Sequence, residues 1–203
     1  MKREVFFDVE TKKLFSDIEG DNPGDLGVSI ASVYSREIDT SNYSENKGKM
    51  QSFWETEFEK MWPIFQDADR IIGFNSIGFD VPALQPYCNF PFAKLPHFDI
   101  MHEFKESFGK RISLDAIAKE TLDREKIDNG LNAVFYWKKR DKKSLGKLKK
   151  YCEEDVSITR DVYDFVLKNK YLLFKDKWNT LRKADLDFSY TKEDEGKSQI
   201  GLF

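Results

Sequence analysis

Asp8 and Glu10 stand two residues apart in the run Phe6-Phe7-Asp8-Val9-Glu10. Val5, Phe6, Phe7 and Val9 have the composition of a buried strand, in which alternate side chains share a face. Asp8 and Glu10 therefore point the same way, together with Phe6. Two carboxylates side by side at the edge of an apolar sheet repel each other and resist losing water. A cation held between them resolves the conflict.

Two further acids stand at places where a cleft could gather them. Ile71–Phe74 reads as a strand and Asn75–Gly78 as a turn, after which Asp80 opens a helix with Pro82 in its first turn. Taken alone, Asp80 reads as a helix N-cap. In Tyr151-Cys152-Glu153-Glu154-Asp155, helical spacing puts Tyr151 and Asp155 on one face. Cys152, Val156, Thr159, Val162, Tyr163 and Val166 mark the buried stripe of that helix, with Asp155 next to it and Glu153 and Glu154 facing away. Taken alone, Asp155 reads as a border residue satisfied by a salt bridge.

Together the three groups form an ordered set: Asp-x-Glu on a first strand, Asn-x-x-x-Phe-Asp after a middle strand, and Tyr-x-x-x-Asp on a late helix. This set, spanning about residues 3 to 175, resembles the DEDD (DnaQ-like) superfamily of 3′→5′ exonucleases. It is most similar to the tyrosine subclass (DEDDy) and to the proofreading exonuclease domain of family B DNA polymerases. The other subclass carries a histidine near the last acid, whereas His97 and His102 lie far upstream.

The resemblance implies an α/β, RNase H-like fold: a mixed β-sheet with helices on both faces. It implies Asp8, Glu10, Asp80, Tyr151 and Asp155 as the catalytic set, with the four acids as metal ligands. Four converging carboxylates need divalent cations to stay ionised, and hard oxygen ligands select Mg²⁺ or Mn²⁺. Two such ions ~3.5–4 Å apart suit in-line phosphodiester displacement. By resemblance Asp8 bridges both ions, Glu10 and Asp155 complete the one that activates water, and Asp80 supports the second. Tyr151, ordinarily of pKa ~10, is a poor base at neutral pH and is expected to position the water by a hydrogen bond. The expected reaction is metal-dependent 3′→5′ hydrolysis of unpaired DNA 3′ ends to nucleoside 5′-monophosphates. An exoribonuclease with the same chemistry is the alternative, and a catalytically silent nucleic-acid or replisome adaptor is the second.

Asn75 and Phe79 match motif positions that line the cleft by the terminal nucleotide. Phe15 is a candidate stacking residue, with a place in the core as its other reading. The Lys-rich segment 137–151, with Lys147 and Lys150, could track phosphates or be a solvated helix face. Asp99 and Asp115 read as helix caps or buried hydrogen-bonded acids. At the C-terminus Gln199-Ile200-Gly201-Leu202-Phe203 resembles the bacterial sliding-clamp-binding pentapeptide, with Gln199, Ile200, Leu202 and Phe203 as its contacts. The other reading is that these apolar residues fold back onto the body.

The elements that must hold these residues follow from the patterning. Strands are expected at 26–35, 70–74 and 97–101, and helices at 53–65, at 113–122 with Ser113 as N-cap, and at about 143–168. The polar stretch 36–50 reads as a hairpin or mobile loop. Strands alternating with helices predict one α/β domain over 1–188, which the resemblance makes an exonuclease domain, and a flexible tail is expected over 189–203. A net charge of −3 over 203 residues confines nucleic-acid binding to a local basic patch. Two cysteines without metal-like spacing, and no apolar span or leader, suit a cytoplasmic protein with no membrane partner.

Overall fold

The computed structural model describes residues 1–124 and 130–190. Its centre is a five-stranded sheet of order β3-β2-β1-β4-β5, formed by β1 (Lys2–Thr11), β2 (Val28–Ile38), β3 (Glu45–Trp54), β4 (Arg70–Gly73) and β5 (His97–Asp99). The first three strands run antiparallel, and β4 and β5 run parallel to β1. β1 is thus the third of five strands, and its alternation divides the core. Val5, Phe7 and Val9 pack on one face against α1 (Trp62–Gln66), α2 (Asp80–Leu84) and Phe92. Phe6 packs on the other face against the long helix α6 (Lys142–Asn169), meeting Tyr163 edge-on at 5.4 Å. Helices α3 (Ile100–Phe108) and α4 (Leu114–Leu122) cover that same face. The expected mixed sheet with helices on both faces is what the chain forms.

α6 follows its sequence pattern closely. Asp141 caps it by accepting from the Ser144 amide at 2.9 Å, and the expected stripe from Cys152 to Val166 is buried. Ser113 caps α4 as expected, accepting from the Ala116 amide at 3.2 Å.

The hairpin expected over 36–50 forms, while other segments differ from their patterns. The 36–50 stretch turns through residues 39–44 and returns as β3, pairing Ala31 with Phe53 and Ile30 with Trp54. Phe53 and Trp54 therefore end a strand, although their spacing predicts the start of a helix. The rest of that predicted helix is a 3₁₀ stretch over Glu55–Lys60 followed by α1, because Pro63 lacks an N–H and suits only a first turn. β5 is shorter than 97–101: Asp99 accepts from the Met101 amide at 3.0 Å and starts α3 there, a helix that the patterning did not predict. Also unpredicted are α5 (Gly130–Lys139) and a hairpin of β6 (Tyr171–Lys175) with β7 (Leu181–Asp185). Packing on the body continues through Phe188, which is buried, and Tyr190, whose hydroxyl donates to Glu4 at 3.1 Å. No helix among the described residues is long and apolar enough to cross a membrane.

Candidate active site

β1 delivers Asp8 and Glu10 on the Phe6 face, where α6 crosses it. Cys152 of α6 is fully buried and its thiol donates to the Asp8 carbonyl at 3.4 Å, which fixes the helix against the strand. Asp155, one turn further along, then meets the two strand acids. One carboxylate oxygen from each of Asp8, Glu10 and Asp155 lies within 4.8 Å of the others, and Glu10 and Asp155 are buried. Such a group can hold a metal ion, because its donors are carboxylate oxygens only and its like charges need an opposite one.

Tyr151 sits one turn before Asp155, and its hydroxyl hydrogen-bonds that carboxylate. Burial, and then the charges of Asp155, Glu10 and Asp8, drive its pKa far above the ordinary tyrosine value. The phenol therefore stays protonated and acts as a donor.

Asp80 enters the same cleft from α2, which packs on the opposite face of the sheet. Pro82 lies in the first turn of the five-residue α2, and the Asp80 Oδ1 accepts from the Val9 amide at 3.1 Å. Burial pushes its carboxyl up to about 7, with Asp99 and Asp155 adding to the rise against the Val9 hydrogen bond. Asp80 is outside the three-acid group but shares a cleft with Asp8 and Glu10.

Phe15, Asn75 and Phe79 line the same cleft, beside Lys13, Leu14 and Phe74. Phe15 projects from a 3₁₀ turn (Phe15–Asp17), is 45% exposed, and stands edge-on to Phe79 at 6.1 Å. Its alternative reading as a core residue does not fit that exposure. Asn75 takes a left-handed conformation, φ 61°, that asparagine tolerates better than most residues. Asp99 holds the turn by accepting from the Asn75 amide at 2.8 Å and the Ile77 amide at 3.0 Å, while also capping α3. Arg111 donates to the Asn75 Oδ1 at 2.5 Å.

Lys147 and Lys150 do not line this cleft. Lys147 lies 5.3 Å from the Tyr136 ring centre, and Lys150 borders a separate groove with Tyr34, Met50 and Arg160. Gln199, Ile200, Leu202 and Phe203 lie outside the described residues. Sequence reasoning missed the place of Lys13 and Leu14 in the wall, the hold of Asp99 on the Asn75 turn, and Arg111. Asp99 did carry a signal, an acid followed by an amphipathic run. Arg111 carried none, being 36 positions from its partner.

The family model RNase_H_2, of the RNase_H superfamily, matches residues 5–167. Among solved structures, the family B DNA polymerase of the hyperthermophilic archaeon Pyrobaculum calidifontis is similar with a TM-score of 0.57 at 19% identity. The match covers 82% of this chain and 25% of the polymerase chain, so this chain spans about a quarter of that length and the likeness is one of fold. No curated protein matches this sequence.

Proposed function

The chain belongs to the RNase H superfamily, and on that premise we propose that it is a metal-dependent exonuclease of the tyrosine DEDD type. It removes nucleoside 5′-monophosphates from the 3′ end of unpaired DNA. The observation that carries this reading is the convergence of Asp8, Glu10 and Asp155 within 4.8 Å, at a cleft with Asp80 on its floor and exposed Phe15 on its wall.

The hard oxygen donors fit Mg²⁺ or Mn²⁺, and Asp8, Glu10, Asp155 and Asp80 are the residues that would hold two such ions. When bound, these cations supply charge neutralisation and Lewis-acid polarisation of the phosphodiester. Tyr151, held protonated, orients the attacking water as a donor and does not abstract its proton. Phe15 and Phe79 provide faces for the terminal base, and Asn75 fixes the terminal nucleotide by hydrogen bonding. Residues 1–188 act as the nuclease body. The tail that follows, whose first residues Ser189 and Tyr190 still bond to Tyr43 and Glu4 of the body, acts as a tether presenting Gln199, Ile200, Leu202 and Phe203 to a bacterial sliding clamp, a reading supported by the QIGLF sequence alone. Truncation of the last five residues tests it: clamp affinity falls while intrinsic cleavage stays, and unchanged clamp affinity removes the reading.

A time course with 5′-labelled single-stranded DNA and RNA of one sequence tests the main proposal. A DNA ladder that shortens from the 3′ end in Mg²⁺ or Mn²⁺, and vanishes with EDTA and in Asp8→Ala, is the expected result. Preference for RNA moves the enzyme to RNA processing, and no cleavage of either overturns the nuclease reading.

A further inference from the structure

α5 packs by one side only. Ala133, Val134 and Trp137 are buried, and Ala133 and Trp137 pack with Tyr151 and Cys152 beside the acidic cluster. At about 100° per residue, Leu131, Phe135 and Lys139 form a stripe on the side turned away from these three. Leu131 is 66% and Phe135 52% exposed, a large apolar surface to leave in water on a ten-residue helix.

This helix is tied to the cleft wall by an ion pair. Lys138, at the edge of the stripe, pairs with Asp17 at 3.2 Å, and Asp17 closes the 3₁₀ turn that begins with Phe15. The stripe also carries a cation at its end. Lys139 places its ammonium 5.0 Å from the Phe135 ring centre. An exposed apolar surface with a cation on its rim suits a ligand that is itself both apolar and anionic. Stacked bases joined by phosphates meet that description, whereas an acidic helix or a plain apolar segment meets half of it.

We propose that the Leu131–Phe135–Lys139 face of α5 binds the unpaired DNA strand where it leaves the cleft, with Phe135 stacking on a base and Lys139 contacting a phosphate. The inference deepens the nuclease reading and rests on it for the direction of the strand. It extends the binding surface beyond the terminal nucleotide, so affinity grows with strand length until the strand covers α5.

The test measures fluorescence anisotropy of a labelled oligothymidylate tetranucleotide and dodecanucleotide with the full chain in EDTA, where cleavage cannot confuse the readout. The wild-type protein is expected to bind the dodecanucleotide more tightly than the tetranucleotide. Phe135→Ala loses that preference by on the order of tenfold, as expected for one stacked base, and Phe135→Trp keeps it. Lys139→Ala lowers the salt dependence of dodecanucleotide binding. Equal dodecanucleotide affinity in wild type and Phe135→Ala overturns the proposal, as does a wild-type protein with no preference for the longer strand. Because binding is read without turnover, a chain that binds in this way and cleaves nothing refutes the nuclease reading and leaves the surface standing.

Discussion

The backbone amide of Val9 donates to the Asp80 carboxylate at 3.1 Å, so the residue between the two acids of β1 also holds the acid of α2. Three acids on two elements are thereby fixed to one stretch of three residues. Position in the cleft and stability of the sheet are coupled through this bond.

The coupling separates two substitutions. Asp80→Asn keeps an oxygen for Val9 and removes the charge; cleavage is expected to fall by on the order of a thousandfold, with Tm close to wild type. Asp80→Ala leaves a buried donor unsatisfied, which costs about 1–3 kcal/mol and should lower Tm by several degrees as well. Thermal melts and initial rates on both variants check this, and an active Asp80→Asn enzyme would remove Asp80 from the catalytic set.

Burial pushes the Asp80 carboxyl up to about 7, so the cation-free protein holds a proton there near neutral pH. The deprotonated acid is the one that binds a cation, so binding releases the proton and Mg²⁺ or Mn²⁺ affinity rises with pH through about 7. Calorimetry in two buffers of different ionisation enthalpy should reveal the release, and Asp80→Asn should abolish it. Proton-neutral binding by the wild type at pH about 7 would contradict the assignment.

Tyr151 and Asp8 should fail differently. Tyr151→Phe loses one hydrogen-bond donor and keeps the acids, so a residue of activity on the order of a hundredth remains. Asp8→Ala opens the metal group itself and leaves no measurable cleavage. Parallel rate measurements with saturating Mn²⁺ check the division of roles, which equal total loss in both would refute.

Asp99 accepts from the amides of Asn75, Ile77, Met101 and His102, tying the Asn75 turn to the start of α3. Asp99→Ala orphans donors at both places and is expected to destabilise by about 3 kcal/mol or more. The milder Asp99→Asn should raise KM for DNA more than it lowers kcat, because it loosens the wall that carries Asn75 and Phe79. Kinetics at several substrate concentrations distinguish this from a general loss of active protein.

His97 supplies a pH dependence of stability. Its ring is packed edge-on to Phe92 and bonded to the Phe92 carbonyl at 2.9 Å, and burial lowers its pKa below the ordinary 6.5. Below that value the unfolded chain takes up a proton that the folded chain resists, so stability falls as pH drops from 6.5 toward the lower folded-state value. Denaturant melts between neutral and mildly acidic pH should show the decline, and His97→Gln should reduce it.

Spacing within one element carried far in this protein. The alternation of β1 sets Asp8 and Glu10 on one face, and the helical period of α6 sets Tyr151 and Asp155 beside the stripe that packs on that face. Both patterns are local: a strand repeats every two residues and a helix about every 3.6, so a dozen residues suffice to read them. Ser113 as the cap of α4 and the strand β4 were legible for the same reason.

Tertiary pairing decided the rest. Phe53 and Trp54 have the spacing of a helix, yet they end a strand because β2 offers Ala31 and Ile30 as partners, a preference written more than twenty residues away. Phe15 could be read from sequence either as a stacking or as a core residue; it lines the wall because its turn comes shortly after the end of β1. Arg111 meets Asn75, and Val9 meets Asp80, only after the parallel crossovers bring β1, β4 and β5 side by side. Local spacing tells which acids exist and which face Asp8, Glu10 and Asp155 take on their own elements. The tertiary structure alone decided that these faces meet, because burial of the apolar stripes, and not any attraction among the acids, drives β1, α2 and α6 together.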